Sequence, residues 1–226
     1  MRFLVHIAAV SALACLLGQA ANADTINFSL KGSNVQTLKR VSFTDAKFKT
    51  WYTNWTRVDD AYAALLYVRS ADDTDGVLTA VHAHNLKDLD QLAKVACQFF
   101  ANANTGSTCQ TIARKVPKAT SQKSGGVSLS RTATVAFQER YLPKIKPGKY
   151  GAFAIRQNGG YGFGFNQSTE GGAKRRAMRE CKKRTKIKGE MELFQAAKIV
   201  IAQKYRLDKC RIVHVQRPRK DRVGKD

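Results

Sequence analysis

The chain has few acidic residues, few prolines and no long hydrophobic run. Asp and Glu number 17 against 39 Lys and Arg, which gives a formal net charge of +22. Four prolines and 16 glycines among 226 residues exclude collagen-like and most low-complexity classes. Because no apolar run reaches about 18 residues, no membrane-spanning helix is expected. An apolar fraction of 43% with 9% aromatic residues is typical of a globular protein.

Several motifs that carry chemistry are absent as well. The sequence contains no GxSxG nucleophile elbow, no HExxH zinc motif and no phosphate-binding P-loop. It has no CxxC or CxxxC spacing, which disfavours a zinc site and a thioredoxin-like motif. We therefore predict no catalytic residue, no cofactor and no metal site. A Ser-His-Asp triad needs to meet only in space, so enzymatic activity stays open.

The first 23 residues have the organisation of a secretory signal peptide. Arg2 precedes an apolar stretch over residues 3–17, and Ala21 and Ala23 stand at the positions that a signal peptidase reads. We expect cleavage after Ala23, which leaves 203 residues with a net charge of +21. The expected location is periplasmic or secreted. Lipoprotein processing at Cys15 is disfavoured because the apolar run continues past that residue.

The remaining chain contains two segments with the same order of features, which indicates an internal repeat. Each segment predicts two strands joined by a turn, then a helix with a cysteine, then a strand that another cysteine opens. Copy one covers residues 61–116 and copy two covers residues 150–217. The turns are Asp75-Gly76 in copy one and Asn158-Gly159-Gly160 in copy two. An alternative stays open: the likeness could reflect only the usual alternation of strands, turns and helices in α/β chains.

The cysteines are predicted to form disulfide bonds. Four cysteines follow the signal peptide, and an even number in an oxidising compartment favours bridges, with three pairings allowed. The repeat pairs Cys97 with Cys109 and Cys181 with Cys210, so that each bridge joins a helix to a sheet. The shorter loop, of 13 residues, would contribute about 3 kcal/mol in the chain-entropy model.

The predicted fold class is α+β, with two small β-β-α-β copies. Their antiparallel sheets are expected to carry helices on one face, and each copy holds a disulfide. Short strand-like runs precede the copies at Val41–Phe43 and Val135–Phe137, and copy two has a further helical pattern between Met191 and Tyr205. The predicted organisation is a signal peptide (1–23), an N-terminal lobe (24–117), a linker (118–130), a C-terminal lobe (131–217) and a basic tail (218–226).

Copy two resembles a family of small secreted bacterial domains of unknown function. The resemblance rests on the Tyr-Gly-Ala-Phe-Ala strand at 150–154, the Gly-Tyr-Gly-Phe-Gly-Phe run at 160–165, the alanines and Cys181 of the helix, and Cys210-Arg-Ile-Val213. Copy one matches more loosely. The family often has a further cysteine after the last strand, where this chain has Arg217-Pro218. The resemblance implies a secreted, disulfide-bonded α/β domain and no reaction.

The positive charge is concentrated in the second half of the chain. Residues 141–226 carry a net charge of +16, whereas copy one is neutral. On a helix whose Ala173, Ala177, Met178 and Cys181 face the core, the basic residues would face outward, and a merely solvated face usually mixes both signs. We therefore expect a surface for an anionic partner, although solubility alone is the alternative. The predicted binding residues are Lys174, Arg175, Arg176, Arg179, Lys182, Lys183, Arg184, Lys186 and Lys188.

These features predict an exported, non-enzymatic binding protein of the bacterial cell envelope. The candidate partners are lipopolysaccharide phosphates, anionic phospholipid headgroups, acidic polysaccharides, extracellular nucleic acid or an acidic protein. One alternative is a small periplasmic hydrolase that uses His82, His84 or His214. Another is a protein–protein interaction module in which copy one docks a protein. The oligomeric state is not predicted.

The sequence offers three more specific binding sites, for RNA, for a transition metal and for calcium, and each is disfavoured. Gly160-Tyr161-Gly162-Phe163 is similar to part of an RNA-binding strand motif, but its flanking residues do not fit, and close packing explains the glycines. His82 and His84 lie two residues apart on a strand, with no third metal ligand in evidence. The acidic residues before Gly76 lack the spacing of a calcium loop, so we expect them to shape a turn; they are Asp72, Asp73 and Asp75.

Overall fold

The computed structural model describes residues 26–29, 32–43, 45–69, 76–103, 106–119, 126–183, 201 and 203–218. The predicted signal peptide, the acidic turn before Gly76 and most of the basic tail lie outside the described residues. The strands are β1 (Ile26–Asn27), β2 (Ser33–Thr37), β3 (Ala63–Arg69), β4 (Gly76–His82), β5 (Thr108–Pro117), β6 (Val127–Ser128), β7 (Tyr150–Arg156), β8 (Tyr161–Gln167) and β9 (Cys210–Gln216). The α-helices are α1 (Ala46–Arg57), α2 (Leu86–Ala103), α3 (Arg131–Val135) and α4 (Glu170–Lys183).

The N-terminal lobe is built on an antiparallel sheet with the strand order β2-β5-β3-β4. The central strand β3 is a nearly continuous apolar run, and such runs are typical of strands covered on both faces. Its alternate residues point to opposite sides: Leu65 packs in a cluster with Trp55 of α1, and Leu66 packs in a cluster with Leu89 of α2. One helix therefore covers each face of this sheet.

The C-terminal lobe is built on a second antiparallel sheet with the order β8-β7-β9. Ala152 and Ala154 of β7 pack in a cluster with α4, while Phe153 faces the other way. There it meets a π-helical segment, Ala136–Tyr141, which continues α3 and ends in a 3-10 turn, Leu142–Lys144. The expectation of helices on one face is thus wrong for both sheets, because helical segments outside the two predicted copies cover the second faces.

The two sheets share a local order of elements. In each, the first strand of a hairpin lies between the second strand and a closing strand, and a helix connects the hairpin to that closing strand. Both predicted disulfides are confirmed: Cys97–Cys109 joins α2 to β5, and Cys181–Cys210 joins α4 to β9. The mixed α+β class with antiparallel sheets is confirmed as well.

The segments before the two copies differ from their predicted form. Val135–Phe137 is not a strand but the junction of α3 with the π-helical segment, and the Ser130 hydroxyl caps α3 by accepting from the Ala133 amide. Val41–Phe43 forms no strand. Helix α1 was not predicted, because its aromatic residues are interleaved with Lys and Thr in a short stretch; Asp45 caps it by accepting from the Lys47 amide.

The lobes contact one another directly. The His84 ring of the N-terminal lobe bonds to Gly160 O of the β7–β8 turn, and it accepts from Ser130 N. Ile201, from the segment that follows α4, packs in the α2 cluster of the N-terminal lobe. Conversely, Ile26 of β1 packs in the aromatic cluster of the C-terminal lobe. Within the predicted linker, β6 pairs in parallel with β1.

Candidate functional site

Helix α4 carries the basic residues that the sequence singled out. Its buried positions are Ala173, Ala177 and Cys181, all small, and they lie against β7 and β8. Such close approach requires glycine on the sheet, since a Cβ at Gly162 would lie 2.1 Å from the Cys181 backbone nitrogen. The opposite side of the helix faces solvent. We call it the cationic face, formed by Lys174, Arg175, Arg176, Arg179, Lys182 and Lys183.

Two carboxylates form ion pairs with some of the basic residues of the cationic face. Glu170 pairs with Lys174 at 2.6 Å through one oxygen and with Arg217 at 3.0 Å through the other. The hydrogen bond from Lys174, helped by that from Arg217, lowers the pKa of the Glu170 carboxyl below its usual value. Glu180 pairs with Lys183 at 2.9 Å. The pairs are exposed and therefore contribute little stability, but they hold the basic side chains in place.

Arg175 and Arg176 differ from their neighbours on the cationic face. Both are exposed, and no carboxylate of the described residues pairs with either. The Arg176 guanidinium lies 5.9 Å from the centre of the Phe165 ring, within range of a cation–π contact. Arginine on an exposed helix face presents its planar donors to carboxylates or phosphates. Arg184, Lys186 and Lys188 of the predicted set lie outside the described residues.

The basic surface continues beyond α4. Arg217, which Glu170 ties to the start of the helix, also lines an open cavity of about 490 Å³ at the end of the sheet. Lys146 and Lys149, from the loop before β7, line the same cavity. The Lys146 amide donates to the side chain of Asn166 on β8, which fixes this loop beside the helix start. The sequence missed this extension because strand pairing alone brings the loop and the β9 end together.

The aromatic residues of the β7–β8 hairpin do not form a stacking platform for bases. Tyr161 is buried, and its ring stacks on Phe153 at 5.8 Å between centroids. Phe163 stacks on the same ring at 5.9 Å. These rings belong to the core between β7 and the π-helical segment. The glycines between them serve the close packing of α4, as the alternative interpretation of the motif predicted.

The three described histidines have separate surroundings. His214 is buried in the aromatic cluster, where its Nδ1 lies 2.9 Å from the Tyr141 hydroxyl. His84 is buried between the lobes, and both of its ring nitrogens have backbone partners. Burial lowers the pKa of both rings to about 4, so they are neutral. Neither is placed to act as a base toward a substrate.

His82 lies apart from these two and faces a cleft. Its Nδ1 lies 2.8 Å from Asp60 Oδ2, and its side chain is 47% exposed. Burial opposes ionisation of Asp60, but the hydrogen bond and charge of His82, with the Ala61 amide and the charge of Lys115, hold the pKa of Asp60 below its usual value. The sequence did not point to Asp60 or to Arg156, which lines the same cleft.

Metal and hydrolase sites find no further support within the described chain. Among the residues that the structure describes, no group of three metal-ligating side chains comes together. His82 and His84 do not form a pair of ligands, because His84 follows the end of β4 and both of its nitrogens are bonded. No Ser or Thr hydroxyl of the described residues hydrogen-bonds to a histidine ring.

Comparison with known proteins identifies a family for one part of the chain. Residues 150–222 match the model of a domain of unknown function (DUF4189), which covers copy two and the residues just after it. No curated protein and no solved structure matches the chain. Among the described residues no helix has the length and apolar character to cross a membrane. The two disulfides are compatible with an extracellular or periplasmic protein.

Proposed function

We propose that this protein is a non-enzymatic binding protein of the bacterial cell envelope, and that its cationic face contacts an anionic partner. The observation that carries the proposal is the exposed pair Arg175 and Arg176, since no described carboxylate forms an ion pair with either. Exposed like charges three and four positions apart, such as Arg175 and Arg176 with Arg179, repel one another, and a polyanion would relieve that repulsion. The predicted signal peptide and the two disulfides support an exported location.

The shape of the C-terminal lobe supports an extended partner rather than a small one. Glu170 lies between Lys174 and Arg217, so the cationic face and the basic cavity at the end of the sheet are adjacent. The Cys181–Cys210 bridge and the glycines of β8 hold α4 rigidly on the sheet. A polymer that bears repeated phosphates or carboxylates would contact both parts at once. Rigid presentation reduces the entropy lost on binding.

A pull-down on beads coated with lipopolysaccharide tests the proposed binding. Alginate beads and dextran beads serve as the acidic and the neutral polysaccharide. Salt is raised from about 50 mM to about 500 mM, and the variant Arg175→Ala/Arg176→Ala/Arg179→Ala is compared with the unaltered protein. We expect binding to the anionic beads that falls steeply with salt. The variant should bind about tenfold more weakly, since exposed ion pairs contribute about 0.5 kcal/mol each.

A matched control distinguishes binding through the cationic face from binding through the overall net charge. The variant Lys47→Ala/Lys49→Ala/Arg57→Ala removes three exposed positive charges from α1 in the N-terminal lobe. It should bind nearly as well as the unaltered protein. Equal losses in the two variants would show that overall charge, not this face, determines binding. Retention that does not change with salt would overturn the proposal outright.

We also infer that the two hairpin-helix-strand units are copies of one ancestral unit. Their strands occupy equivalent places in the two sheets, and each helix is bridged to the closing strand of its own sheet. The copies then diverged in charge: one is neutral and the other strongly basic. This divergence supports a division of roles in which copy two binds and copy one docks against it.

A further inference from the structure

The cleft between the lobes contains a cluster of polar and charged groups that the cationic face does not use. It is an open cavity of about 390 Å³. The N-terminal lobe contributes Asp60 and His82, and the C-terminal lobe contributes Thr132, Arg156 and Asn158. Neither lobe alone would form it. A cavity with convergent polar groups at a domain boundary is a common place for a small ligand.

One wall of the cleft presents an oriented imidazole. The ionised Asp60 accepts from His82 Nδ1–H, which fixes the ring and leaves Nε2 as the nitrogen that Asp60 does not bind. Asp60 is itself held, because one of its oxygens accepts from the Ala61 amide. The buried Lys115 adds a positive charge nearby and donates to the carbonyls of Trp55 and Val58.

The backbone beside Asp60 is held in an uncommon conformation. Tyr62 has a φ of 60°, in the left-handed region that bulky residues rarely adopt. Its amide donates to Lys115 O, and its carbonyl accepts from the Ala83 amide, so two strands hold it in place. Strain of this kind costs about 1–3 kcal/mol and clusters at functional sites. Tyr62 lies two residues after Asp60 in the chain.

The other wall presents a guanidinium. Arg156 ends β7 and is only 6% exposed. Its guanidinium lies over the backbone of Gly160, where an added Cβ would come within 2.2 Å of Nη2. The turn is fixed because the Arg156 amide donates to Gly160 O, and the Gly159 amide donates to Arg156 O. Arginine presents its N–H donors in a rigid, planar fork.

We propose that this cleft binds a small oxyanion, a carboxylate or a phosphate, between the guanidinium of Arg156 and the imidazole of His82. The guanidinium matches two oxygens of such a group. The imidazole of His82 offers the oxyanion a hydrogen bond through the ring nitrogen that Asp60 does not use. The Thr132 side chain lines the same cavity and supplies a hydroxyl. The site is independent of the proposed function, because it includes no residue of α4.

The test is a titration of the purified protein with inorganic phosphate, and separately with acetate, at constant pH and ionic strength. The histidine ring signals are followed by NMR. We expect the His82 signal to shift in a saturable way, while that of His214, buried in the aromatic cluster, stays in place. His82→Gln and Arg156→Lys should each weaken phosphate binding, measured calorimetrically, by at least about fivefold, because charge-assisted bonds are lost. A response to phosphate or to acetate alone would identify which oxyanion the site accepts.

The controls distinguish this site from the cationic face and from misfolding. Arg175→Ala/Arg176→Ala/Arg179→Ala should bind phosphate in the cleft as well as the unaltered protein does. If the buried Arg156→Lys change disturbs folding, His82→Gln still tests the site, since His82 is half exposed. An unchanged affinity in His82→Gln, or a His82 signal that neither anion moves, would overturn the proposal.

Discussion

At the scale of single residues, burial has made two of the histidines structural. His84 exchanges hydrogen bonds with backbone groups from two parts of the chain, and His214 meets the Tyr141 hydroxyl among aromatic rings. Desolvation disfavours their charged form, which places the pKa of each at about 4 instead of the ordinary 6.5. Sequence alone offered all three described histidines as candidates for a hydrolase. The burial of His84 and His214 leaves His82 as the one described histidine that a ligand can reach.

These two histidines predict a loss of stability in mild acid. The unfolded chain binds protons near pH 6.5, whereas the folded protein does so only near a pKa of about 4. Stability is therefore unaffected above pH 6.5 and falls as the pH drops from 6.5 towards 4. At pH 5 each histidine costs about 2 kcal/mol relative to pH 7. Urea unfolding at the two pH values measures the difference.

A double variant identifies the source of that loss. Tyr141→Phe/His214→Leu removes the titrating ring together with the hydroxyl that would otherwise lose its partner. The difference in free energy of unfolding between pH 7 and pH 5 should shrink by about half. If the double variant retains the full difference, other groups account for the acid sensitivity.

At the scale of elements, the contact of α4 with β8 depends on the absence of side chains. Gly162 faces the backbone of Cys181. A Cβ added at Gly164 would lie 2.9 Å from Ala173 O. The alternation of glycine with aromatic residues thus gives the hairpin two faces. The aromatic side packs on Phe153, and the glycine side accepts a helix of small residues. The cationic face is held out to solvent as a result.

Replacing the glycine beneath α4 should therefore be costly. Gly162→Ala places a methyl group 2.1 Å from a backbone nitrogen that a disulfide-bonded residue holds in position. We expect the free energy of unfolding to fall by about 3 kcal/mol, as in overpacked cores. Gly171→Ala, on the exposed side of the same helix, should be neutral or slightly stabilising. Equal effects in thermal unfolding would contradict the close-packing account.

The elements that the sequence predicted are those with strong local signals. The strands of both hairpins show apolar or aromatic runs, and Asn158-Gly159-Gly160 forms the predicted turn between β7 and β8. Helix α2 follows from its regular apolar spacing. In contrast, Val135–Phe137 has the composition of a strand, but its place after the Ser130 cap and its packing on β7 make it helical. Tertiary contacts override propensity in such short segments.

At the scale of the whole molecule, His84 couples the two lobes. It is buried, its Nδ1 accepts from Ser130 N, and its Nε2–H donates to Gly160 O. Gln157 adds a hydrogen bond to Asp88 across the same boundary. Because the oxyanion cleft takes one wall from each lobe, this coupling also determines the geometry of the proposed site.

Loss of that ring should weaken the coupling. His84→Ala leaves the buried Ser130 amide without its acceptor and removes one of the two donors to Gly160 O, which together cost about 2 kcal/mol. We expect a lower melting temperature and a calorimetric transition that is less cooperative than that of the unaltered protein. The exposed His82→Ala serves as the control and should retain one sharp transition. A His84→Ala protein that melts as cooperatively as the control would show that the apolar contacts alone join the lobes.

The α+β class, the paired cysteines and the concentration of positive charge in one region are all readable from the sequence. They follow from local composition and spacing, which need no knowledge of distant contacts. Tertiary contacts, in contrast, place helices on both faces of each sheet, extend the basic surface to Arg217 and the loop before β7, and bring Asp60, His82 and Arg156 to one cleft. Those groups meet through strand pairing and lobe packing between residues far apart in the chain, which no local pattern encodes.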